Sequence, residues 1–204
     1  MSRGFRLCWY HKLMNRFFLL PGVLCVPTLL AQETLWRHIQ DEREREPPPI
    51  WRSLVSPATL SQSQQDAIVK LVWLSPTTDS WPSGSEDKEW LTNLTFDTIP
   101  LSPRTRVILV AAPMGAPNSE MWLFRLSGTS RPTLLAGPQQ TFGGFLFSLE
   151  PTFSHGYRDI VLGWHMSAAQ TDLKYFRFDG RVYRAISSAT LDANGVSPVA
   201  LVRH

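Results

Sequence analysis

Cysteine is scarce in this chain: its two copies, Cys8 and Cys25, both lie within the first 31 residues. The following 173 residues therefore have no disulfide, no thiol nucleophile and no cysteine ligand for a metal. That part of the chain must be stabilised by an apolar core, and it is long enough to form one domain with a sizeable core.

A long hydrophobic run is also missing. The apolar run from Phe17 to Ala31 contains two prolines and is only 15 residues long, whereas a membrane-spanning helix needs about 20 apolar residues. A basic start precedes the run, and Ala31 stands before Gln32 at a plausible cleavage point. Residues 1–31 thus have the pattern of a secretory signal peptide, which predicts a periplasmic or secreted protein. An uncleaved leader, which would be the only membrane contact, is the alternative.

Excess positive charge is absent outside this leader. The leader holds four of the 20 Lys and Arg residues and none of the 17 acidic ones, so the remainder carries 16 minus 17, or −1. A basic stripe that could neutralise phosphates is therefore lacking, and we exclude nucleic acid as a partner.

Residues 32–89 are predicted to contain two helices, a proline-rich linker and a loop. The first helix covers 33–46 and stops at the prolines of 47–49, because proline cannot continue a helix. The second helix covers 61–73, with a serine, Ser61 or Ser63, available as its N-cap. Residues 75–89 are rich in turn-forming residues and are predicted to be a surface loop.

Residues 108–128 repeat at 160–180, a shift of 52 positions. The identical pairs are Ile108/Ile160, Met114/Met166, Ala116/Ala168, Phe124/Phe176, Arg125/Arg177 and Gly128/Gly180. Conservative pairs, such as Ser119 with Thr171 and Glu120 with Asp172, lie between these identical pairs. We interpret this similarity as a duplicated supersecondary unit within residues 90–204.

In each copy, successive side chains alternate between two faces with the two-residue period of a β-strand, and both faces are largely apolar. This pattern indicates a sheet that is covered on both sides. The fold class is therefore mainly β with N-terminal helices, and contains two tandem four-stranded antiparallel meanders packed as sheets. A two-residue hairpin is predicted at Asp179-Gly180, with Ser127-Gly128 at the corresponding turn. The strands are predicted at 91–97, 106–112, 120–126 and 131–135, then at 143–149, 158–164, 172–178 and 181–187, with one more at 196–202.

The stretches HGYRDIVLGW and YFRFDG, with ILVAAP and WLFRLSG in the first copy, resemble the FG-GAP repeat, a four-stranded β-propeller blade. The second copy also looks like uncharacterised exported bacterial proteins that share its FDG ending. The resemblance implies a loop that often binds calcium, which requires six to eight oxygen ligands. The corresponding loop here, 150–159, has only Glu150 and Asp159 as carboxylates, with His155 where an oxygen ligand is expected. We therefore expect no metal and no other cofactor. Two blades cannot close a propeller, which typically has four to eight.

His155, Asp159 and His165 form the only cluster that could carry catalysis. The two histidines lie near opposite ends of one predicted strand, so we expect them not to share a proton or a metal. His165 is interpreted as a turn residue bonded to the backbone. No nucleophile elbow, zinc-binding helix, phosphate loop or dinucleotide fingerprint is present, so no catalytic residue is assigned.

Candidate binding residues are Trp164, His165, Tyr175 and Arg177. Trp164 and Tyr175 flank the turn after His165, and an aromatic edge beside polar groups would suit a protein or sugar surface. Arg177 recurs as Arg125 in the first copy, which favours a structural hydrogen bond over ligand binding. The sequence thus predicts an exported, non-catalytic interaction or structural module whose partner is a protein or a cell-envelope glycan. The alternatives are a periplasmic hydrolase or hydrolase inhibitor using the His155–His165 region, and a cell-envelope carbohydrate binder.

Overall fold

The computed structural model describes Trp36 and residues 54–75, 88–113, 118–128 and 131–199. The predicted leader, the proline-rich linker and most of the predicted loop 75–89 lie outside these residues. Of the predicted helix 33–46 only Trp36 is described; its backbone is helical and its side chain is buried.

Helix α1, Gln62–Leu74, confirms the second predicted helix. Ser61 is the N-cap: its hydroxyl accepts from the Gln64 backbone N–H, and the Gln64 side chain accepts from the Ser61 backbone N–H. This reciprocal pair satisfies two N–H groups that a helix start leaves without partners. Ile68 and Val72 are fully buried, and these two residues attach the helix to the sheet.

The fold is mainly β, as predicted, and the described residues form ten strands in one antiparallel sheet. The short strand β1 is Ser56–Pro57. The first meander is β2 Thr95–Ile99, β3 Arg106–Pro113, β4 Ser119–Leu126 and β5 Thr133–Ala136; a 3-10 helix, Lys88–Asn93, precedes it. The second is β6 Gly143–Ser154, β7 Tyr157–Ser167, β8 Gln170–Phe178 and β9 Tyr183–Asp192, followed by β10 Gly195–Val199.

The register of the central strand pairs follows the sequence repeat. Ile108 on β3 pairs with Phe124 on β4, and Ile160 on β7 pairs with Phe176 on β8. Each partner in the second pair lies 52 residues after its counterpart in the first. The duplicated unit is therefore visible in the hydrogen-bonded pairing as well as in the sequence.

The strands of the two meanders pair at a short β4–β6 junction, which we call the seam. There Ser119 pairs with Gly144 and Glu120 with Gly143, so the start of β4 borders β6 while the rest of β4 borders β5. At the far end, the Arg158 N–H donates to the carbonyl of Leu101 across 2.7 Å.

Alternation along the strands divides the apolar residues into three clusters. One cluster lies between the two meanders and contains Leu109, Met121, Leu162 and Phe176. A second covers the outer face of the first meander beneath α1, and a third covers the outer face of the second meander around Trp36. Both faces of each meander are thus covered, which satisfies strands that are apolar on both sides.

The predicted hairpin at Asp179-Gly180 does join β8 to β9, but its predicted length of two residues is wrong. Phe178 pairs with Tyr183, so the connection has four residues, and only Gly180 has positive φ. The Asp179 carboxylate accepts from the backbone N–H groups of Arg181 and Val182, a local bond that competes with a two-residue turn.

The hairpin with positive φ at both central residues occurs instead between β6 and β7. It consists of His155, at φ 51°, and Gly156, at φ 81°. The neighbouring residues Ser154 and Tyr157 are paired, so the loop has two residues. This is the pattern of a type I′ turn.

Candidate functional site

The backbones approach closely at the seam, and three glycines permit it. Gly144 has φ +101°, and a Cβ on it would lie 2.0 Å from the carbonyl oxygen of Gly163. A Cβ on Gly163 would lie 2.4 Å from the Phe145 ring, and one on Gly143 would lie 3.1 Å from the carbonyl oxygen of Ser119. Any side chain at Gly144 would therefore separate β6 from β7.

Asn118 joins the two meanders beside these glycines. Its side-chain amide donates to the His165 carbonyl and accepts from the His165 N–H, each across 3.0 Å. The amide thus replaces a strand neighbour at the end of β7. The seam is consequently held by a side chain as well as by the β4–β6 ladder.

A cavity of about 320 Å³ opens at this seam, and we call it the seam cavity. Its lining comes from both meanders and from the turn before β6. The lining residues are Glu120, Pro138, Thr141, Phe142, Gly143, Leu162, Gly163, Trp164, Met166, Asp172 and Lys174. Its volume is at the small end of the range for ligand pockets, about 300–1,000 Å³.

Three charged residues are among those that line this largely apolar cavity. Glu120 is only 3% exposed. Asp172 and Lys174 lie on β8, where Asp172 is paired with Trp164 and Lys174 with Leu162. Burial lowers the pKa of the Lys174 ammonium below its usual value, and the nearby Asp172 carboxylate opposes that shift. A few polar groups converging on an apolar hollow is the arrangement typical of small-molecule sites.

The predicted candidates Trp164 and Tyr175 lie on opposite faces of the sheet. Trp164 is partly exposed and lines the seam cavity, whereas Tyr175 is 1% exposed and packs against Trp36. The cause is the two-residue period of a strand, since the pairing of Trp164 with Asp172 places odd-numbered Tyr175 on the other side. The two aromatic side chains therefore do not form one surface.

Tyr175 and Arg177 belong to a network around the buried carboxylate of Asp159. One oxygen, Oδ2, accepts from Tyr175, from Thr152 and from two nitrogens of Arg177, at 2.9 to 3.1 Å. Burial raises the pKa of the Tyr175 hydroxyl to about 12, and the hydrogen bond to Asp159 raises the pKa of the Arg177 guanidinium. The contacts of Arg177 are thus those of a structural ion pair.

The first repeat lacks this network. The residue equivalent to Asp159 is Val107, so Arg125 has no corresponding carboxylate, and its Nε is buried without a hydrogen-bond partner. The duplicated arginine is therefore used differently in the two copies.

His155 and His165 lie at opposite ends of β7. His155 is in the hairpin and contacts the Phe178 ring edge to face. His165 lies within the strand, not in the turn, which is at residues 168–169; its ring stacks on Phe145 and its Nδ1 lies 3.2 Å from the Thr171 hydroxyl. The two side chains are not brought together.

Among the described residues, no three His, Cys, Asp or Glu side chains are grouped so that they could hold a metal ion. The helices within those same ranges include none with the length and apolar character needed to cross a membrane. Glu150 and Asp159 of the loop predicted by the FG-GAP resemblance are both buried.

Comparison with known proteins finds no matching family model, curated protein or solved structure. The resemblance to FG-GAP repeats therefore stays a prediction.

Sequence reasoning missed the polar residues of the seam cavity. Glu120 and Asp172 are equivalent in the 52-residue repeat, and each is acidic within a largely apolar strand. This repeated acidic position was the sequence signal that could have identified Glu120 and Asp172 as candidate site residues. Lys174 carried no signal, because its equivalent in the first copy is Trp122.

Proposed function

We propose that this chain is an exported, non-catalytic binding module whose ligand site is the seam cavity. The observation that supports the proposal is the convergence of Trp164, Asp172 and Lys174 on one hollow between the two meanders. Export is proposed on the leader pattern of residues 1–31.

The composition of the cavity favours binding over catalysis. Neither His155 nor His165 lines it, and no serine or cysteine does. A hydrolase based on the His155–His165 region would require two side chains at opposite ends of one strand to cooperate. The cavity has groups that can orient a ligand, and its lining contains no serine–histidine or cysteine–histidine pair.

A cell-envelope glycan is the ligand that Trp164 favours. An indole face binds the apolar side of a sugar ring, and carboxylates accept hydrogen bonds from its hydroxyl groups. The cavity would hold about one ring, because its volume of about 320 Å³ is small. Tyr175 would take no part in this contact.

Ligand-observed NMR with a library of small polar fragments tests the proposed function. Binding should be saturable and should be lost in Trp164→Ala. Trp73→Ala is the matched control, because Trp73 is 44% exposed, lies on α1 and does not line the cavity. Fragments that bind equally well to both variants, or a library with no binding fragment, would contradict the proposal.

A further inference from the structure

We propose that the seam cavity selects a neutral ring that carries two adjacent hydroxyl groups, as an uncharged hexose does. This inference rests on the proposed function and specifies its ligand. Three features of the cavity support it: a charge pair on β8, the apolar wall beside that pair, and the strained backbone of Thr141.

The side chains of Asp172 and Lys174 lie on one face of β8. Two residues of a strand rise about 6.6 Å and return to the same face, so the two side chains are neighbours. Phe176 has the same parity and belongs to the core between the meanders, which places this face on the inside. Both charged residues are only partly exposed there.

Asp172 and Lys174 balance each other's charge. Burial lowers the pKa of the Lys174 ammonium, and the Asp172 carboxylate opposes that shift, so the two charges interact. Glu120 adds no charge to this face, since its pairing with Ala112 directs its side chain to the outer face of the first meander, with Trp122. The inner face of the lining therefore has one carboxylate and one ammonium.

Hydroxyl groups can bond both members of this pair. A hydroxyl has one donor and two acceptor lone pairs, whereas a carboxylate only accepts and an ammonium only donates. Two adjacent hydroxyls can thus donate to Asp172 and accept from Lys174 while the two charges stay beside each other. A cationic ligand would be repelled by Lys174 and an anionic one by Asp172, and a zwitterion would have to separate the two side chains.

The apolar wall lies directly across from the charge pair. Trp164 on β7 is paired with Asp172, and the Cβ atoms of such partners are about 4.5–5.5 Å apart. Leu162 is paired with Lys174 in the same way. The Trp164 ring packs beside Gly143, where an added Cβ would lie 3.4 Å from ring atom Cζ3. A saturated six-membered ring can pack on this wall while its hydroxyl groups reach β8.

Thr141, in the turn before β6, has a strained backbone. Its φ is 57° and its ψ is 29°, a left-handed conformation that β-branched residues rarely adopt. The Thr141 N–H donates to the Pro138 carbonyl across 2.7 Å, so the turn itself holds this conformation. Residues strained in this way cluster at ligand sites. Thr141 lines the cavity and is exposed, so its hydroxyl is available to a third hydroxyl of the ligand.

Ligand-observed NMR titration of the unaltered protein with matched six-membered rings tests the inference. The diol trans-cyclohexane-1,2-diol should bind at least about tenfold more tightly than cyclohexanol, the factor of one hydrogen bond to a charged group. It should also bind more tightly than 2-aminocyclohexanol, 2-hydroxycyclohexanecarboxylate and the zwitterion 2-aminocyclohexanecarboxylate. Methyl glucoside, which presents such a diol within a neutral sugar ring, should bind at least as tightly as the diol.

Two variants should change the preferred ligand charge. Lys174→Met leaves Asp172 without its balancing charge, so 2-aminocyclohexanol should bind more tightly than the diol. Asp172→Ala leaves Lys174 without its balancing charge, so the hydroxycarboxylate should become the preferred ligand. Lys70→Met, on α1 and outside the lining, is the matched control and should keep the preference for the diol. An unchanged preference in both cavity variants would overturn the inference.

Thr141→Gly separates binding from stability at the strained position. Glycine adopts positive φ readily, so the melting temperature of this variant should be at least as high as that of the unaltered protein. Its affinity for methyl glucoside should nevertheless fall about fivefold, because one neutral hydrogen bond is lost. Its affinity for the cyclohexanediol, which has no third hydroxyl, should stay the same. Unchanged affinity for methyl glucoside would overturn the role assigned to Thr141.

The two proposals fail in distinguishable ways. Tighter binding of the zwitterion or of either charged ring by the unaltered protein would overturn this inference but leave the proposed binding function intact. Failure of every ring to bind, together with the fragments, would overturn both.

Discussion

The Tyr175 hydroxyl donates to the buried carboxylate of Asp159 across 2.9 Å, on the face of β8 that points away from the seam cavity. The same carboxylate oxygen binds the guanidinium of Arg177, whose side chain is 47% exposed. The second meander thus contributes to two separate features. On its outer face lies a polar network that stabilises the fold, and on its inner face lies most of the lining of the seam cavity.

Asp159→Ala should lower the free energy of unfolding by about 3 kcal/mol, because it leaves the buried hydroxyl of Tyr175 and the charge of Arg177 without their acceptor. Chemical denaturation measures this. Arg184→Ala is the matched control: it removes the exposed ion pair with Asp179 and should cost less than about 1 kcal/mol. Equal losses in the two variants would contradict the role assigned to the Asp159 network.

Gly144→Ala should destabilise the protein far more than Gly156→Ala, although both glycines have positive φ. A Cβ on Gly156 meets nothing within 4 Å, so that variant has only the backbone cost of about 1–2 kcal/mol. A Cβ on Gly144 overlaps the Gly163 carbonyl oxygen and must separate β6 from β7. Denaturation midpoints that fall equally in both variants would show that the β6–β7 pair does not need this close approach.

Asp179 should stabilise the fold less in acid. Bonds from the Val182 N–H, the Arg184 guanidinium and the Arg181 N–H lower the pKa of this carboxyl to about 2, compared with about 3.9 in an unfolded chain. The contribution is therefore complete above about pH 4 and is lost as the pH falls through about 2. The difference in denaturation midpoint between the unaltered protein and Asp179→Asn should shrink over that range. A difference independent of pH would contradict the assignment.

The parts of the fold that depend on local signals could be predicted from the sequence. The Ser61 cap and the strand alternation follow from nearby residues, and the matching register of the two central strand pairs follows from the 52-residue repeat. The four-residue length of the β8–β9 turn could not be predicted, because the Asp179 carboxylate binds the backbone of its own turn. The two-residue β6–β7 hairpin could not be predicted either, because His155 adopts a positive φ that few side chains favour. For the site, Trp164 was identified, but its neighbours were not.

The missed neighbours have a physical explanation. Glu120 borders the cavity because β4 pairs with β6 at its first residues and with β5 beyond them. Such a shared edge depends on long-range packing and leaves no periodic signal. Tyr175 and Arg177 could have been excluded from the Trp164 surface by counting residues across the β7–β8 pair.

Calcium should leave the melting temperature unchanged within error. The carboxylate oxygen Oδ2 of Asp159 is already bound to Tyr175, Thr152 and Arg177, and calcium requires six to eight oxygen ligands. Thermal melts with millimolar calcium and with a chelator measure this. A saturable rise that Asp159→Ala abolishes would show instead that the loop 150–159 retains a working calcium site.

The indole N–H signals of Trp164 and Trp73 in a proton–nitrogen NMR spectrum, assigned by Trp164→Phe and Trp73→Phe, test the seam cavity most directly. Titration with methyl glucoside should shift the Trp164 signal saturably and leave the signal of Trp73, exposed on α1, in place. A saturable shift at Trp73 with Trp164 unmoved would contradict the seam cavity as the ligand site.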